Sequence, residues 1–124
     1  MKQQATTTNA PDAPFLSQAI IAGSTIYVSG QIHSQPDGTL VDGSVTEKMT
    51  QIMQNISAIL EAAAATLDDV LKVVIYVTDM AQMPELNKVY LTYFNEPYPV
   101  REAVCVQALP LGATIEISVV AAKS

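Results

Sequence analysis

The residue types that could do chemistry lie close together near the end of the 124-residue chain. Arg101 is the only arginine, and Glu116 is a lone carboxylate inside an apolar run. A guanidinium can hold a carboxylate through two parallel hydrogen bonds, and a neighbouring carboxyl group can move a proton or orient a water. These residues predict a site for a small carboxylic acid. The alternative is a structural Arg–Glu pair on a sheet.

Two strands and a turn are predicted to position this pair. Residues 100–108 and 113–121 have the composition of strands, and residues 109–112 read Leu-Pro-Leu-Gly, which favours a turn. We therefore expect a hairpin-like unit. Because side chains alternate along a strand, the hairpin would bring Arg101 and Glu116 onto the polar faces of neighbouring strands.

The elements before this unit include one hairpin and one long helix. Residues 17–22 and 25–31 are apolar runs joined by Gly23-Ser24, which predicts the hairpin. Gly30 interrupts its second strand, where a bulge or a close approach by another group is expected. Ser44 and Glu47 fit a capping box that begins an amphipathic helix over residues 45–65.

The middle of the chain supplies a further strand and helix. Residues 70–78 are rich in β-branched side chains, which predicts a central strand buried on both faces. Pro84 fits the first turn of a second helix, and residues 95–97 end it. The order is β-β-α-β-α-β-β, an α+β fold whose two helices cover one face of a mixed sheet. Residues 1–14 are predicted to be an extended, partly disordered lead-in to a single domain that spans residues 1–124.

Composition excludes several classes of function. The net charge is −6, and the five lysines are scattered, so no nucleic-acid partner is expected. One cysteine and one histidine allow neither an internal disulfide nor the usual zinc site, so no metal is expected.

No apolar run is long enough to span a membrane, and the N-terminus resembles no signal peptide. A cytoplasmic protein is expected, with a mitochondrial pool as an alternative. A charged fraction of only 15% predicts an oligomer that buries extra surface.

Several short motifs, taken together and in order, resemble the RidA/YjgF family, the reactive-intermediate deaminases also known as L-PSP proteins. The resemblance runs from Ala10 to Ala122 and rests on the following segments: Ser17-Gln18-Ala19, Ser29-Gly30-Gln31-Ile32, Leu67-Asp68-Asp69-Val70, Thr78-Asp79-Met80, Asn87 with Tyr90 and Phe94, Pro99-Val100-Arg101, Ala108-Leu109-Pro110 and Ile115-Glu116-Ile117.

The resemblance implies a chorismate-mutase-like fold and a homotrimer with clefts between its subunits. It also implies the hydrolysis of enamine and imine acids, such as 2-aminoacrylate, 2-iminobutanoate and 2-iminopropanoate, to 2-keto acids and ammonia without a cofactor. Arg101 then looks like the clamp for the substrate carboxylate, and Glu116 like the acid that orients or activates water. Ser29 and Gly30 look like the strand end lining the cleft, and Asn87 like a supporting residue.

Two positions depart from the family pattern. Leu16 stands where many active members carry a tyrosine, and Ala103 where many carry a cysteine two residues after the arginine. Both residues are expected at the substrate site, which Leu16 makes more apolar. A non-catalytic binder or regulator of small carboxylic acids on the same scaffold is therefore a second hypothesis. A third is the ribonuclease and translation-inhibitor activity of some members, against which the acidic balance counts.

Overall fold

A computed structural model of the protein describes residues 2–123. Its strands and helices are β1 (Lys2–Ala5), β2 (Ala19–Ala22), β3 (Thr25–Ile32), α1 (Val45–Ala62), β4 (Val70–Val77), α2 (Met83–Tyr93), β5 (Val100–Cys105) and β6 (Ile115–Ala122). The strands form one sheet in the order β1-β2-β3-β6-β4-β5. All neighbours are antiparallel except β4 and β5, which run parallel. The predicted α+β fold with a mixed sheet is confirmed.

The core lies between the two helices and one face of the sheet. Along β6 the side chains alternate, so that Ile115, Ile117, Val119 and Ala121 are buried whereas Glu116 and its face are only half-buried. Helix α1 buries its apolar stripe against this layer, with Met49, Ile52, Met53, Ile56, Ile59 and Leu60 all inaccessible to solvent. The alternating apolar side chains of the strands and the helically spaced apolar side chains of α1 therefore pack together in one apolar layer.

Helix α1 begins as the sequence predicts and ends slightly earlier. The Glu47 backbone N–H donates to Ser44 Oγ at 3.1 Å, and the Ser44 backbone N–H donates to Glu47 Oε1 at 3.0 Å, which completes the capping box. The helix ends at Ala62 rather than at residue 65. Ala64 adopts a φ of 60°, a left-handed conformation that terminates helices.

The predicted hairpin of the last two strands is wrong. β6 pairs antiparallel with β4, and β5 pairs parallel with the opposite edge of β4, so β4 lies between them. The connection over residues 106–114 is long enough to cross the end of β4, and β4 gains a ladder on each side. The expected central position of β4 is confirmed. Its burial on both faces is not, because Val74 and Tyr76 are only half-buried.

The lead-in is part of the fold rather than a partly disordered segment. Residues 2–5 form β1, which pairs antiparallel with β2. Gln18, which is fully buried, holds the following segment in place. Its Nε2 group donates to the carbonyl oxygens of Thr7, Ala10 and Pro11 at 3.1, 3.1 and 2.8 Å, and its Oε1 accepts from the Thr7 N–H at 2.7 Å.

The second face of the sheet carries no helix within one chain. The strand register places Tyr27, Tyr76, Val104 and Val120 on this helix-free face together with Glu116. Tyr27 is 52% exposed and Val104 is 42% exposed. Among residues 2–123 no helix has the length and apolarity needed to cross a bilayer.

Candidate functional site: two separated half-sites

Glu116 lies on the helix-free face, next to the irregular end of β3. The register of β3 against β6 shifts between Val28 and Gln31, which is the bulge that Gly30 predicts. The Glu116 carboxyl group packs directly on Gly30, and a Cβ there would clash with Oε2 and lie 3.0 Å from Cδ. Partial burial raises the pKa of the Glu116 carboxyl group above its usual range.

This carboxyl group forms part of the lining of a cleft of about 440 Å³. Four residues singled out from the sequence meet in the cleft, namely Leu16, Ser29, Gly30 and Glu116. Ser29 Oγ donates to the Ser17 carbonyl oxygen at 2.6 Å, which fixes the strand end against the segment that carries Leu16. Leu16 is 43% exposed and adds apolar surface. We call this the carboxyl half-site.

Arg101 lies in a second group of residues, at the edge strand β5. Its Nη1 donates to Asn87 Oδ1 at 2.8 Å, and its guanidinium carbon lies 4.9 Å from the centre of the Tyr90 ring. Both partners are on α2. The guanidinium forms no ion pair with a carboxylate among residues 2–123, and the side chain is exposed. We call this the guanidinium half-site.

The two half-sites do not meet within one chain. Arg101 pairs with Val73 of β4, and Glu116 pairs with Tyr76 three residues further along the same strand. Since successive side chains point to opposite faces, Arg101 lies on the helix side and Glu116 on the helix-free side. The strands that carry Arg101 and Glu116 are therefore not neighbours, and the faces on which the two side chains lie do not coincide within a single chain.

Ala103 lies on the same face as Arg101, two residues along β5, and is half-buried against the core. Several residues of the carboxyl half-site were not predicted from the sequence, including Asp12, Phe15 and Leu111. They belong to irregular segments, where no periodicity indicates which side chains converge. The position of Tyr90 under the Arg101 guanidinium was likewise not predicted from the sequence. Among residues 2–123 no cluster of three or more His, Cys, Asp and Glu side chains is arranged to hold a metal ion.

Comparison with known proteins identifies the family. The sequence model of the family described as Endoribonuclease L-PSP matches residues 7–123. The chain belongs to the endoribonuclease L-PSP family, which is the RidA/YjgF family. Human 2-iminobutanoate/2-iminopropanoate deaminase is 41% identical over 118 residues, covering 93% of this chain and 85% of the human protein.

Solved structures of L-PSP family members have the same fold. The crystal structure of yeast Mmf1 has a TM-score of 0.97 at 38% identity, with all of both chains covered. Escherichia coli TdcF, solved with bound serine, has a TM-score of 0.91 at 31% identity over 98% of this chain and 99% of TdcF. The RidA/YjgF resemblance noted from the sequence is thus confirmed, and the chain is related to imine deaminases.

Proposed function

We propose that the protein hydrolyses reactive enamine and imine acids, among them 2-aminoacrylate, 2-iminobutanoate and 2-iminopropanoate, to 2-keto acids and ammonia. The observation that carries the proposal is the division of the two half-sites. An oriented guanidinium that has no carboxylate partner among residues 2–123 lies on one side of the sheet, and a carboxyl group of raised pKa lies in a cleft on the other. The similarity to the human deaminase supports the same reaction.

The guanidinium half-site has the chemistry of a carboxylate clamp. Asn87 and Tyr90 occupy one Nη1 donor and one face of the guanidinium, and the remaining N–H donors stay available for the substrate. A planar, bidentate donor fits the carboxylate common to these imine acids. That TdcF was solved with serine, which also carries a carboxylate, supports a ligand of this class.

The carboxyl half-site has the chemistry of proton transfer. In the proposed reaction, water adds to the imine carbon and gives a proton to the Glu116 carboxylate. When the imine nitrogen is protonated, this addition gives a neutral carbinolamine. Glu116 returns its proton to the nitrogen, the C–N bond breaks as the hydroxyl oxygen forms the keto C=O, and the proton released by the hydroxyl group passes to the departing ammonia. An enamine acid first takes a proton at its β-carbon and becomes the same imine. Water and the imine supply every atom, so the balance requires no cofactor. Ser29, Gly30 and Leu16 would line the substrate's path, and Ala103 would leave space beside the clamp.

Joining the half-sites requires a second chain. We propose a homotrimer in which Arg101 and Asn87 of one subunit face Glu116 of the next. The apolar residues of the helix-free face support such an assembly, since closed symmetric association would bury them. Each subunit boundary would then hold one complete site.

The test is ammonia release from 2-iminobutanoate generated in the assay by an amino-acid dehydratase, above the spontaneous rate. Wild type should accelerate release. Arg101→Ala should lower kcat/KM by roughly 100-fold or more, because hydrogen bonds to charged groups contribute about 1.5–3 kcal/mol each. Arg101→Lys keeps the positive charge but loses the planar bidentate donor, so its kcat/KM should lie between those of wild type and Arg101→Ala. Full turnover by Arg101→Ala would show that the clamp is misassigned.

One observation favours a second function, the binding of small carboxylic acids without turnover. At Leu16 the cleft has an alkyl side chain, and no tyrosine of the described part of the chain lines the cleft to assist proton transfer. If wild type fails to accelerate imine hydrolysis, calorimetric titration with a keto acid distinguishes the two. Binding that is lost in Arg101→Ala would then assign a binding protein. A strongly salt-dependent affinity for RNA would instead revive the ribonuclease hypothesis.

A further inference from the structure

His33 lies in the loop that follows β3 and is buried next to residues that line the carboxyl half-site. It directly follows β3, whose last residue, Ile32, lines the cleft and pairs with Glu116. Only 2% of its surface is exposed. It is the only histidine in the chain, and nothing in the proposed chemistry uses it.

The two ring nitrogens of His33 connect two segments that form the cleft. Nε2 accepts from the backbone N–H of Thr114 at 3.0 Å, and Nδ1 lies 2.8 Å from the Val41 carbonyl oxygen. Because a backbone N–H can only donate, Nε2 must be unprotonated and the proton must be on Nδ1. The neutral Nδ1–H tautomer is therefore the only form that satisfies both contacts.

Thr114 is the point from which β6 reaches Glu116. Its carbonyl oxygen accepts from the Thr78 N–H at 3.1 Å and from Gln82 Nε2 at 3.1 Å, and its hydroxyl accepts from Lys48 Nζ at 3.0 Å. The bond from its N–H to His33 is the fourth contact. Thr114 precedes Glu116 by two residues, so it fixes the start of the strand that carries the carboxyl group.

The loop on the other side of His33 also belongs to the cleft. Ser34 and Gly38 line it, and the Val41 N–H donates to the His33 carbonyl oxygen at 2.7 Å. Ser34 is tied to α1 by Asn55 Nδ2, which donates to its carbonyl oxygen at 2.8 Å. His33 thus joins the wall of the cleft to the strand that carries Glu116.

We propose that His33 is a positioning residue for Glu116. His33 holds the carboxyl half-site in its observed geometry only while the His33 imidazole is neutral. The proposal rests on the proposed function. An imidazolium has no lone pair for the Thr114 N–H, so protonation places two donors against each other and releases the start of β6. The cleft then loses its geometry without the loss of any group that touches substrate.

Burial has the largest influence on the protonation of His33, and it favours the neutral imidazole. Burial lowers the pKa of the imidazole below 6.5, and Lys48 on α1 acts in the same direction, whereas Asp42 on the loop and the Val41 carbonyl act against it. The neutral form is therefore favoured, and the geometry should fail as the pH falls through the lowered pKa of His33. The carboxyl group of Glu116 also titrates, so the experiment must separate the two groups.

Two variants of His33 make this separation. In His33→Gln the side-chain amide can donate to Val41 and accept from Thr114, but it does not titrate. His33→Leu offers neither bond. At pH 7.5, kcat/KM should stay within a few-fold of wild type in His33→Gln and fall roughly ten- to hundred-fold in His33→Leu, as expected for a misplaced catalytic group. As the pH falls, part of the activity of wild type should be lost at the midpoint of His33 protonation. His33→Gln should lack this part of the loss.

Nuclear magnetic resonance supplies a test that does not depend on turnover. The single imidazole of the untagged chain gives one set of ring signals, whose ¹⁵N shifts should report the Nδ1–H tautomer and a midpoint below 6.5. The ¹³C titration of the Glu116 carboxyl group should move in His33→Leu and stay in place in His33→Gln. Any of three results would overturn the proposal. The first is an Nε2–H tautomer of His33, and the second is an activity profile of His33→Gln that falls in acid as that of wild type does. The third is a Glu116 titration that is unaltered in His33→Leu. If wild type shows no turnover at any pH, the proposed function fails, and the NMR results still decide the role of His33.

Discussion

At the scale of single residues, the contact between Gly30 and Glu116 shows what the cleft demands of its sequence. The carboxyl group occupies the space that any side chain at residue 30 would need. The same contact removes water from one side of the carboxyl group, which contributes to the desolvation that raises its pKa. One glycine therefore determines both the position of Glu116 and its proton affinity.

Gly30→Ala should lower the free energy of unfolding by about 1–3 kcal/mol, the usual cost of overpacking, and should lower kcat/KM as Glu116 is displaced. Chemical denaturation at fixed chain concentration measures the first effect. The control is the same substitution in a Glu116→Ala background, where the clash partner is absent and the cost should fall by more than half. Equal costs in both backgrounds would show that a group other than the Glu116 carboxyl opposes a side chain at residue 30.

Glu116→Gln should stabilise the fold at pH 7 while it lowers turnover. Because the pKa of Glu116 is raised in the folded state, the folded chain binds more protons than the unfolded chain above pH 4.5. Stability from this group is therefore fully present below that value and is lost as pH rises through the folded pKa. A glutamine side chain does not ionise, so this loss of stability is absent in Glu116→Gln. The Tm of the variant at pH 7 should therefore be higher than that of wild type.

The matched control for this substitution is Glu102→Gln on the same sheet. Glu102 is exposed and lies 3.5 Å from Lys72 Nζ, so its carboxylate is not desolvated. The two variants change the net charge equally, and only Glu116→Gln should raise Tm. An equal rise in both would attribute the effect to the overall charge of −6.

At the scale of elements, the buried Gln18 amide holds the N-terminal segment that forms one wall of the cleft. Gln18→Leu should leave Thr7, Ala10 and Pro11 without these partners and cost about 4 kcal/mol, since each of the four lost hydrogen bonds contributes about 1 kcal/mol. Backbone amides of β1 should exchange with deuterium much faster. Gln3→Leu, at an exposed position of β1, should change neither stability nor exchange. Unchanged exchange in Gln18→Leu would mean that the β1–β2 ladder alone secures the segment.

Elements whose signals are local could be predicted from the sequence. The capping box of α1, the β2–β3 hairpin and the close approach at Gly30 follow from residues within a few positions of one another. β1 was missed because its sequence, Lys-Gln-Gln-Ala, has no apolar alternation and depends on the β2 ladder and on Gln18. The position of β5 was missed because it depends on a non-local choice between two edges of β4.

The residues of the candidate site could likewise be predicted only as far as local signals and the resemblance allow. The resemblance to the family selected Arg101, Asn87, Ser29, Gly30 and Glu116, and the structure brings them into two groups. Which residues belong to which group could not be read from periodicity, since it depends on the order of the strands in the sheet. The burial of His33 likewise depends on contacts with Val41 and Thr114, which are distant in the sequence.

At the scale of the whole molecule, the separation of the half-sites predicts complementation between two inactive variants. Arg101→Ala and Glu116→Gln chains, refolded together in equal amounts, should recover about a quarter of wild-type activity. Each proposed site needs an intact Arg101 from one subunit and an intact Glu116 from its neighbour, and random mixing supplies each with a chance of about one half. Imine hydrolysis by the mixture measures the recovery.

Each variant refolded alone is the control for this experiment and should stay inactive. Native mass spectrometry shows whether mixed oligomers have formed. No recovery in mixed trimers would mean that Arg101 and Glu116 do not combine across a subunit boundary. No oligomer at all, with activity retained by wild type, would contradict the proposed assembly directly.

The place of β5 at the edge of the sheet gives Arg101 a second consequence, which concerns solubility. An unpaired edge strand is a template on which other chains can add strands, and charged side chains are the usual protection. The sequence of β5 is Val-Arg-Glu-Ala-Val-Cys, so Arg101 and Glu102 are its only charges. In a free chain, Arg101→Ala removes half of that protection and leaves a strand more prone to amyloid-like stacking. The residue proposed to hold the substrate would thus also keep newly made chains from aggregating before they assemble.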